Sequence, residues 1–291
     1  MRRGWFPAGL SGYADGFAVE RVPGEPCLVI RHDLDGLEEA DVAALMEGEA
    51  ELGVRSTCFV LEDQLRQILP AARRLRDGGW DLQCHSQARG LVLEIDDARW
   101  VEWRYRTRLR RAERRWRRQG WPVEGHAPHG AHNYLGLHAD ANWDLIEAAT
   151  IGSGFSWVSS YRAITKTAPG QPFPWPAAPY LRRHRKTGRR VLVMPTAWED
   201  RFFSPSWEDR WMNRPGRTLA EARMSVLPQI EACEEAGIPY VVSLHPVLFL
   251  RGGRCLYPWE FEAWLVETCR GRGFPVRTCS DVAAPRAGGP G

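Results

Sequence analysis

The sequence contains no hydrophobic run long enough to cross a membrane. Its apolar stretches, such as CLVI at 27–30 and VVSL at 241–244, have the length of single strands, whereas a membrane-spanning helix needs roughly 18–20 apolar residues. The chain begins with Met1-Arg2-Arg3, but glycine and proline within the first twelve residues interrupt the apolar stretch that a signal peptide requires. The sequence therefore predicts a cytoplasmic protein with no membrane association.

The chain also lacks closely spaced cysteine pairs and a strong excess of charge of either sign. Its seven cysteines include no C-x-x-C pair, and the odd number leaves one without a disulfide partner. We therefore expect buried free thiols in a reducing compartment. The formal net charge of +3 is too small to demand a polyanionic partner.

The length and composition fit one large α/β domain. With 291 residues, 44% of them hydrophobic, the chain can bury a large core, and one α/β barrel would use nearly all of it. No internal repeat is visible. We predict a single domain over residues 1–284, with 1–26 packed on it as an N-terminal extension and the Pro/Gly-rich residues 285–291 forming a flexible tail.

Hydrophobic patterning predicts that strands and helices alternate along the chain. Repeated crossovers of this kind indicate a parallel sheet, and the number of strands favours a closed or nearly closed barrel, with an open doubly wound sheet as the alternative. The predicted strands are 27–30, 56–61, 81–84, 123–125, 155–158, 191–194, 240–244 and 276–278. The predicted helices are 37–52, 64–76, 95–119, 142–150, 219–236 and 258–270.

Polar residues follow several of these strands, where the active sites of parallel α/β folds are built. RHDLD supplies Asp33 and Asp35, CHS supplies His85, and SLHP supplies His245; GHAPHGAH supplies His126, His129 and His132. Taken alone, Asp35 is equally well explained as a helix cap, and a single histidine after a strand is more often structural. Taken together, carboxylates and imidazoles suit a divalent ion such as zinc, with a second carboxylate to activate water and a histidine to protonate a leaving group.

The same residues carry a family resemblance that spans about 27–284. The segment RHDLDGLEEADVAALMEGEAELGVRSTCFVL resembles the opening of the polysaccharide deacetylases, in the H-D-x-D branch that includes allantoinase-like and imidase-like amidohydrolases. DLQCHSQAR, GHAPHG, MPTAWED and SLHPV are similar to the later motifs, in order, and TCSDVAAP resembles the closing helix. The resemblance implies a distorted (β/α) barrel of parallel strands and outer helices.

The resemblance also implies roles for individual residues. Asp33 would be the catalytic base and His245 the acid, while Asp35 and His85 would hold one divalent metal ion, for which zinc is the first expectation. Trp198, in the segment similar to the fourth motif, would contact the substrate, as would His126 at the pocket wall.

Two positions depart from the family pattern. Arg89 stands where the second motif has its other metal histidine, and a guanidinium cannot ligate a metal. Either His129, our first choice, or His32, our second, completes a rearranged site, or Arg89 pairs with Asp35 and replaces the cation. Ala127 stands near the position of the arginine that orients the base, and Arg31 is the candidate substitute; we count Arg31 and Arg89 among the predicted substrate-binding residues.

These patterns predict a metal-dependent hydrolase of a non-peptide carbon–nitrogen amide bond. The expected reaction is deacetylation of an N-acetylated amino sugar or related small metabolite, with hydrolysis of a ureide or cyclic imide as a close variant. The alternative, which Arg89 favours, is a deacetylase-like protein that binds a carbohydrate or sugar nucleotide without a metal. The expected partner is thus a small molecule or a saccharide.

The segment 104–118 holds nine arginines, interleaved with aromatic residues. Arginines in such a run can bind phosphates, and the aromatic rings can stack on bases. We prefer the interpretation of a solvent-exposed barrel helix that packs four side chains inward: Trp103, Tyr105, Leu109 and Trp116. Nucleic-acid binding therefore ranks last among the predicted functions.

Overall fold

The computed structural model describes residues 16–22, 24–87, 98–121, 123–129, 139–160, 178–200, 218–250 and 257–287. The chain divides into two compact units. The first unit comprises 1–22, 83–195 and 283–291, and the second comprises 23–82 and 196–282. The extent of the single domain and the flexible tail at 285–291 stay predictions.

The strands and helices alternate over most of the chain, as the patterning predicts. In chain order they are β1 (Phe17–Arg21), β2 (Leu28–Asp33), α1 (Glu39–Glu51), β3 (Thr57–Leu61), α2 (Leu69–Asp77), β4 (Asp81–Gln87), α3 (Ala98–Arg118), β5 (Gly125–His129), α4 (Ala139–Thr150), β6 (Trp157–Ser160), β7 (Tyr180–His184), β8 (Arg190–Pro195), β9 (Trp198–Glu199), α5 (Leu219–Ala236), β10 (Tyr240–Leu244), α6 (Val247–Leu250), α7 (Tyr257–Gly271), β11 (Val276–Arg277) and α8 (Cys279–Ala287).

The strands of the second unit pair in parallel around β2. Strand β2 pairs with β3, β10 and β11, and β10 also pairs with β9. All six residues of β2 are buried, which agrees with the apolar run that predicted the strand and with the burial of parallel strands on both faces. The carboxyl ends of β2 and β10 lie side by side, since His32 is in register with Leu244.

Helix α5 has the bounds 219–236 that the sequence predicts. Thr218 and Glu221 form a capping box at its N-terminus, and Gly237, with φ of 64°, ends it in the left-handed conformation. Its buried residues, Ala222, Val226, Ile230 and Cys233, recur every three or four positions, so one stripe of the helix faces the core.

The strands of the first unit are in the order β1, β7, β8, β6, β5, β4. The pairs β4–β5, β5–β6 and β6–β8 are parallel, and β7 runs antiparallel to both β1 and β8. Neither β1 nor β7 was predicted. Strand β7 has the sequence YLRRH, in which an arginine occupies a buried position, so the alternating apolar pattern that predicts a strand is absent. The buried residue, Arg182, has its guanidinium 2.6 Å from Asp144 Oδ1 and 2.7 Å from Glu147 Oε2.

The arginine-rich helix α3 packs one aromatic stripe inward. Tyr105, Leu109 and Trp116 are buried, as predicted, whereas Trp103 is 58% exposed. The prediction that Trp103 packs inward is therefore wrong, because this residue lies off the stripe that positions 105, 109 and 116 define on a helix of 3.6 residues per turn. Most of the arginines thus occupy the polar faces of an ordinary amphipathic helix.

The described cysteines are free and buried, as expected: Cys27, Cys58, Cys84, Cys233, Cys269 and Cys279. Cys255 lies outside the described residues. Among the helices that the structure describes, each is too short or too polar to serve as a membrane span.

Candidate functional site

Asp33 is held at the end of β2 by the arginine two residues before it. Side chains alternate along a strand, so Arg31 and Asp33 share one face and His32 lies on the other. The Arg31 guanidinium donates a hydrogen bond to Asp33 Oδ1, and its Cζ lies 4.6 Å from the centroid of the Phe59 ring. Both side chains are buried. A charge-assisted hydrogen bond from a packed guanidinium fixes the orientation of the Asp33 carboxylate.

His245 follows β10 and connects Asp33 to a second carboxylate. Its Nε2 lies 3.6 Å from Asp33 Oδ2, and its Nδ1 lies 2.7 Å from Asp200 Oδ1. The backbone N–H of His245 also donates to Asp200 Oδ2, at 2.6 Å. A carboxylate oxygen of Asp200 accepts the hydrogen bond, so Nδ1 of His245 carries the proton that is donated. The other ring nitrogen, Nε2, faces Asp33 and is available for proton transfer.

Asp200 itself was not predicted as a site residue. It is fully buried and is the last residue of MPTAWED, the segment that is similar to the fourth family motif. The signal available in the sequence was an aspartate two residues after Trp198, the residue of this segment that was predicted to contact the substrate instead. The side chain of His245 retains 15% exposure, so a solute can reach its ring.

Asp35 lies two residues beyond Asp33, in the turn that leads to α1. The N-cap of α1 is Glu38, which forms a capping box with Asp41, so the alternative role of Asp35 as the cap of that helix is wrong. Gly36 adopts φ of 72°, a conformation that suits glycine and lets the chain reverse directly after Asp35. The Asp35 side chain is half-buried.

In the first unit, His85 of β4 and His129 of β5 lie next to each other. The parallel pairing sets His85 opposite Ala127 and Gln87 opposite His129. The two imidazole rings meet edge to face, with centroids 4.9 Å apart and an interplanar angle of 89°. His85 is buried and His129 half-buried. The two predicted metal histidines of this unit are therefore neighbours.

The side chain of His126 is enclosed in the core of the first unit. It is fully buried, with Nδ1 2.9 Å from Ser86 Oγ and Nε2 2.9 Å from Thr150 Oγ1. The Thr150 hydroxyl donates to a backbone carbonyl at 2.9 Å, so we assign the Nε2–H tautomer. The predicted substrate contact does not fit this placement, because both ring nitrogens are already engaged in the core.

Acid is expected to unfold the protein partly through His126. Burial, with a smaller contribution from His85, lowers the pKa of His126 to about 3. The unfolded chain takes up this proton near pH 6.5 and the folded chain does not, so stability is lost as the pH falls. From pH 7 to pH 5 this group alone should cost about 2 kcal/mol of unfolding free energy. Urea unfolding across this range should be less pH-dependent for His126→Gln than for wild type, and His184→Gln serves as the control.

Trp198 is also a core residue. It is 2% exposed, and its ring packs on Phe261 with centroids 4.5 Å apart and planes tilted by 30°. The predicted substrate contact does not fit, because a ring covered by the core cannot stack on a sugar. Arg89 and His132 lie outside the described residues.

Comparison with solved structures identifies the fold. PuuE allantoinase is similar at 15% identity and a TM-score of 0.60, covering 96% of this chain and 97% of that one. A probable polysaccharide deacetylase from Pseudomonas aeruginosa PAO1 matches at 15% identity and a TM-score of 0.58, covering 89% and 90%. A mutant of a CE4-family pseudoenzyme with restored enzymatic activity matches at 11% identity and a TM-score of 0.50, covering 90% and 70%. No family model and no curated protein sequence matches the chain.

The chain therefore has the deacetylase-type distorted (β/α) barrel fold, as predicted. Within that class, the similar structures include both a polysaccharide deacetylase and an allantoinase, which are the two kinds of protein that the H-D-x-D motif suggests. At these identities the likeness establishes the fold.

Proposed function

We propose that this protein is a metal-dependent hydrolase of a non-peptide carbon–nitrogen bond, acting on an N-acetylated amino sugar or a related small metabolite. The observation that carries the proposal is the pairing of Asp33 and His245. A carboxylate and an imidazole lie 3.6 Å apart, each oriented by a buried charged partner, and these are the groups that hydrolysis of an amide needs as base and acid.

Each of the two groups has a defined task in this proposal. Asp33 removes a proton from the attacking water, while Arg31 holds the carboxylate in place. His245 delivers a proton from Nε2 to the departing amine. Asp200 keeps the opposite nitrogen protonated and stabilises the imidazolium form of His245 that carries the Nε2 proton; the ring becomes neutral when that proton is transferred.

Asp35, His85 and His129 are the proposed metal ligands. They offer one carboxylate oxygen and two imidazole nitrogens, a donor set that suits zinc. The edge-to-face contact of the two imidazoles supports their sharing one ion. When bound, the ion would lower the pKa of a water molecule and polarise the scissile carbonyl.

The reaction is tested by assaying purified protein on two substrate classes. Acetate release from N-acetylglucosamine oligomers tests deacetylation, and opening of allantoin tests ureide hydrolysis. We expect turnover on one of these classes, lost on treatment with a chelator and restored by Zn²⁺. Turnover that survives complete metal removal would contradict the proposed metal dependence.

The role of His129 as the third ligand can be tested separately. We expect His129→Ala to weaken zinc retention during dialysis against a chelator far more than His132→Ala, a nearby histidine of the same segment, because only the first removes a donor. Equal retention by the two variants would exclude His129 as a ligand.

The second candidate function is binding of a carbohydrate or sugar nucleotide without a metal. Arg89, at the position of the usual second metal histidine, favours it, because a guanidinium can replace a cation beside a carboxylate. Wild-type protein that contains no metal after purification from zinc-supplemented cells, yet binds a sugar nucleotide in calorimetry, would support this candidate.

A further inference from the structure

A second group of possible metal ligands lies on the opposite face of β2 from Asp33. His32 points away from Asp33 and meets Glu49 of α1 and Glu262 of α7. Its Nε2 lies 2.9 Å from Glu49 Oε1 and 3.9 Å from Glu262 Oε1. All three side chains are fully buried, and their donor atoms lie within 4.8 Å of one another. The proposed hydrolase mechanism uses none of them.

Glu49 is held so that one carboxylate oxygen faces this cluster. Its Oε2 accepts hydrogen bonds from Ser56 Oγ, at 3.0 Å, and from the indole N–H of Trp80. These two donors fix the side chain and leave Oε1 directed at His32. Outer hydrogen bonds of this kind orient carboxylates that ligate a metal through one oxygen.

Glu262 provides an independent reason to expect a ligand. Both of its carboxylate oxygens are buried and have no hydrogen-bond partner among the described residues. A buried carboxylate without a donor is costly, and such groups are normally paired or coordinate a metal. Glu262 is thus a fully buried carboxyl group whose neighbours in the cluster are the His32 ring, 3.9 Å away, and the carboxyl group of Glu49.

Acidic groups outnumber basic ones in and around the cluster. The carboxyl groups of Glu49, Glu262 and Asp200 interact with it electrostatically, and His32 is its basic member. Burial above all, together with the neighbouring Glu49, raises the pKa of Glu262 to about 8. Burial opposes charging of His32, but the carboxylates around it raise its pKa to about 8.

We infer that His32, Glu49 and Glu262 bind a second divalent ion of the zinc class. One imidazole nitrogen and two carboxylate oxygens are ligands that zinc accepts. The ion neutralises two carboxylates and gives the buried Glu262 oxygens a directly bonded cation. Binding through Nε2 requires neutral His32, so the protons on His32 and Glu262 leave when the ion enters. The site joins α1 and α7 to β2 and is structural.

The inference is tested in the variant Asp35→Ala/His85→Ala, which removes ligands of the proposed catalytic ion. Protein from zinc-supplemented cells is analysed for metal by mass spectrometry after gel filtration. We expect about one zinc ion per chain, which Glu262→Gln removes and Glu267→Gln, an exposed glutamate of the same helix, does not. No zinc in this background, or zinc retained by Glu262→Gln, would overturn the inference.

A second measurement needs no substitution within the cluster. X-ray absorption at the zinc edge of the Asp35→Ala/His85→Ala protein should report one imidazole and carboxylate oxygens at about 2.0–2.2 Å. Sulfur ligands at about 2.3 Å, or two imidazoles, would overturn the inference. The result is separate from the proposed function: in the wild-type chain, Glu262→Gln should remove one ion whether or not the catalytic ion is bound.

Discussion

Asp33→Asn should lower kcat/KM by about a thousandfold or more while leaving the zinc content unchanged. The amide keeps the shape of the side chain and can still contact Arg31, but it cannot accept the proton of the attacking water, and general-base catalysis contributes about 10²–10⁴-fold. The measurement is turnover on the substrate class that the assays identify, together with metal analysis of the same preparation.

Two further measurements make the Asp33 prediction specific. Asp77→Asn, at an exposed position on α2, should have wild-type activity. In wild type, kcat/KM should fall at low pH as the base becomes protonated, and this acid limb should disappear from the residual activity of Asp33→Asn. An Asp33→Asn protein that keeps most of its activity would exclude Asp33 as the base.

The second large effect is expected from the proposed metal ligands. Asp35→Ala and His85→Ala should each lower the content of the catalytic ion by about one per chain and reduce turnover to background, because two remaining ligands hold a divalent ion poorly. Metal analysis and the hydrolysis assay check both results.

The control for the metal ligands is His184→Gln. His184 is the last residue of β7, and its Nδ1 accepts a hydrogen bond from the backbone N–H of Thr187, at 3.2 Å. Replacing it therefore changes a histidine that is not one of the proposed ligands. Asp35→Ala protein that retains its full complement of metal and its activity would show that Asp35 is not a ligand.

Much of the fold could be read from the sequence because many elements carry a local signal. The helix at 219–236 has its capping residues and its terminal glycine in the sequence, and β10 at 240–244 is a continuous apolar run. Strand β7 could not be predicted, since its buried Arg182 is stabilised by Asp144 and Glu147, which are distant in sequence.

The site residues divide in a similar way. The proximity of Asp33 and His245 could be expected because Asp33 ends β2 and His245 follows β10, whose carboxyl ends adjoin, and their side chains are 3.6 Å apart; their catalytic roles stay predictions. His126 lies within β5 and Trp198 begins β9, yet both side chains turn into the core. A strand end alone cannot decide whether a polar side chain faces solvent or the interior.

By itself, the sequence determined the alternation of strands and helices, the barrel class, and where the candidate acidic and histidine residues lie relative to the strands, because these depend on local periodicity and on short motifs. Only the tertiary structure showed which side chains interact. Asp200 accepts a hydrogen bond from His245, and Arg31 donates one to Asp33. On the other face of β2, His32 contacts Glu49 and Glu262. Each of these contacts joins residues whose meeting depends on how the strands and helices pack, and on which face of β2 a side chain takes.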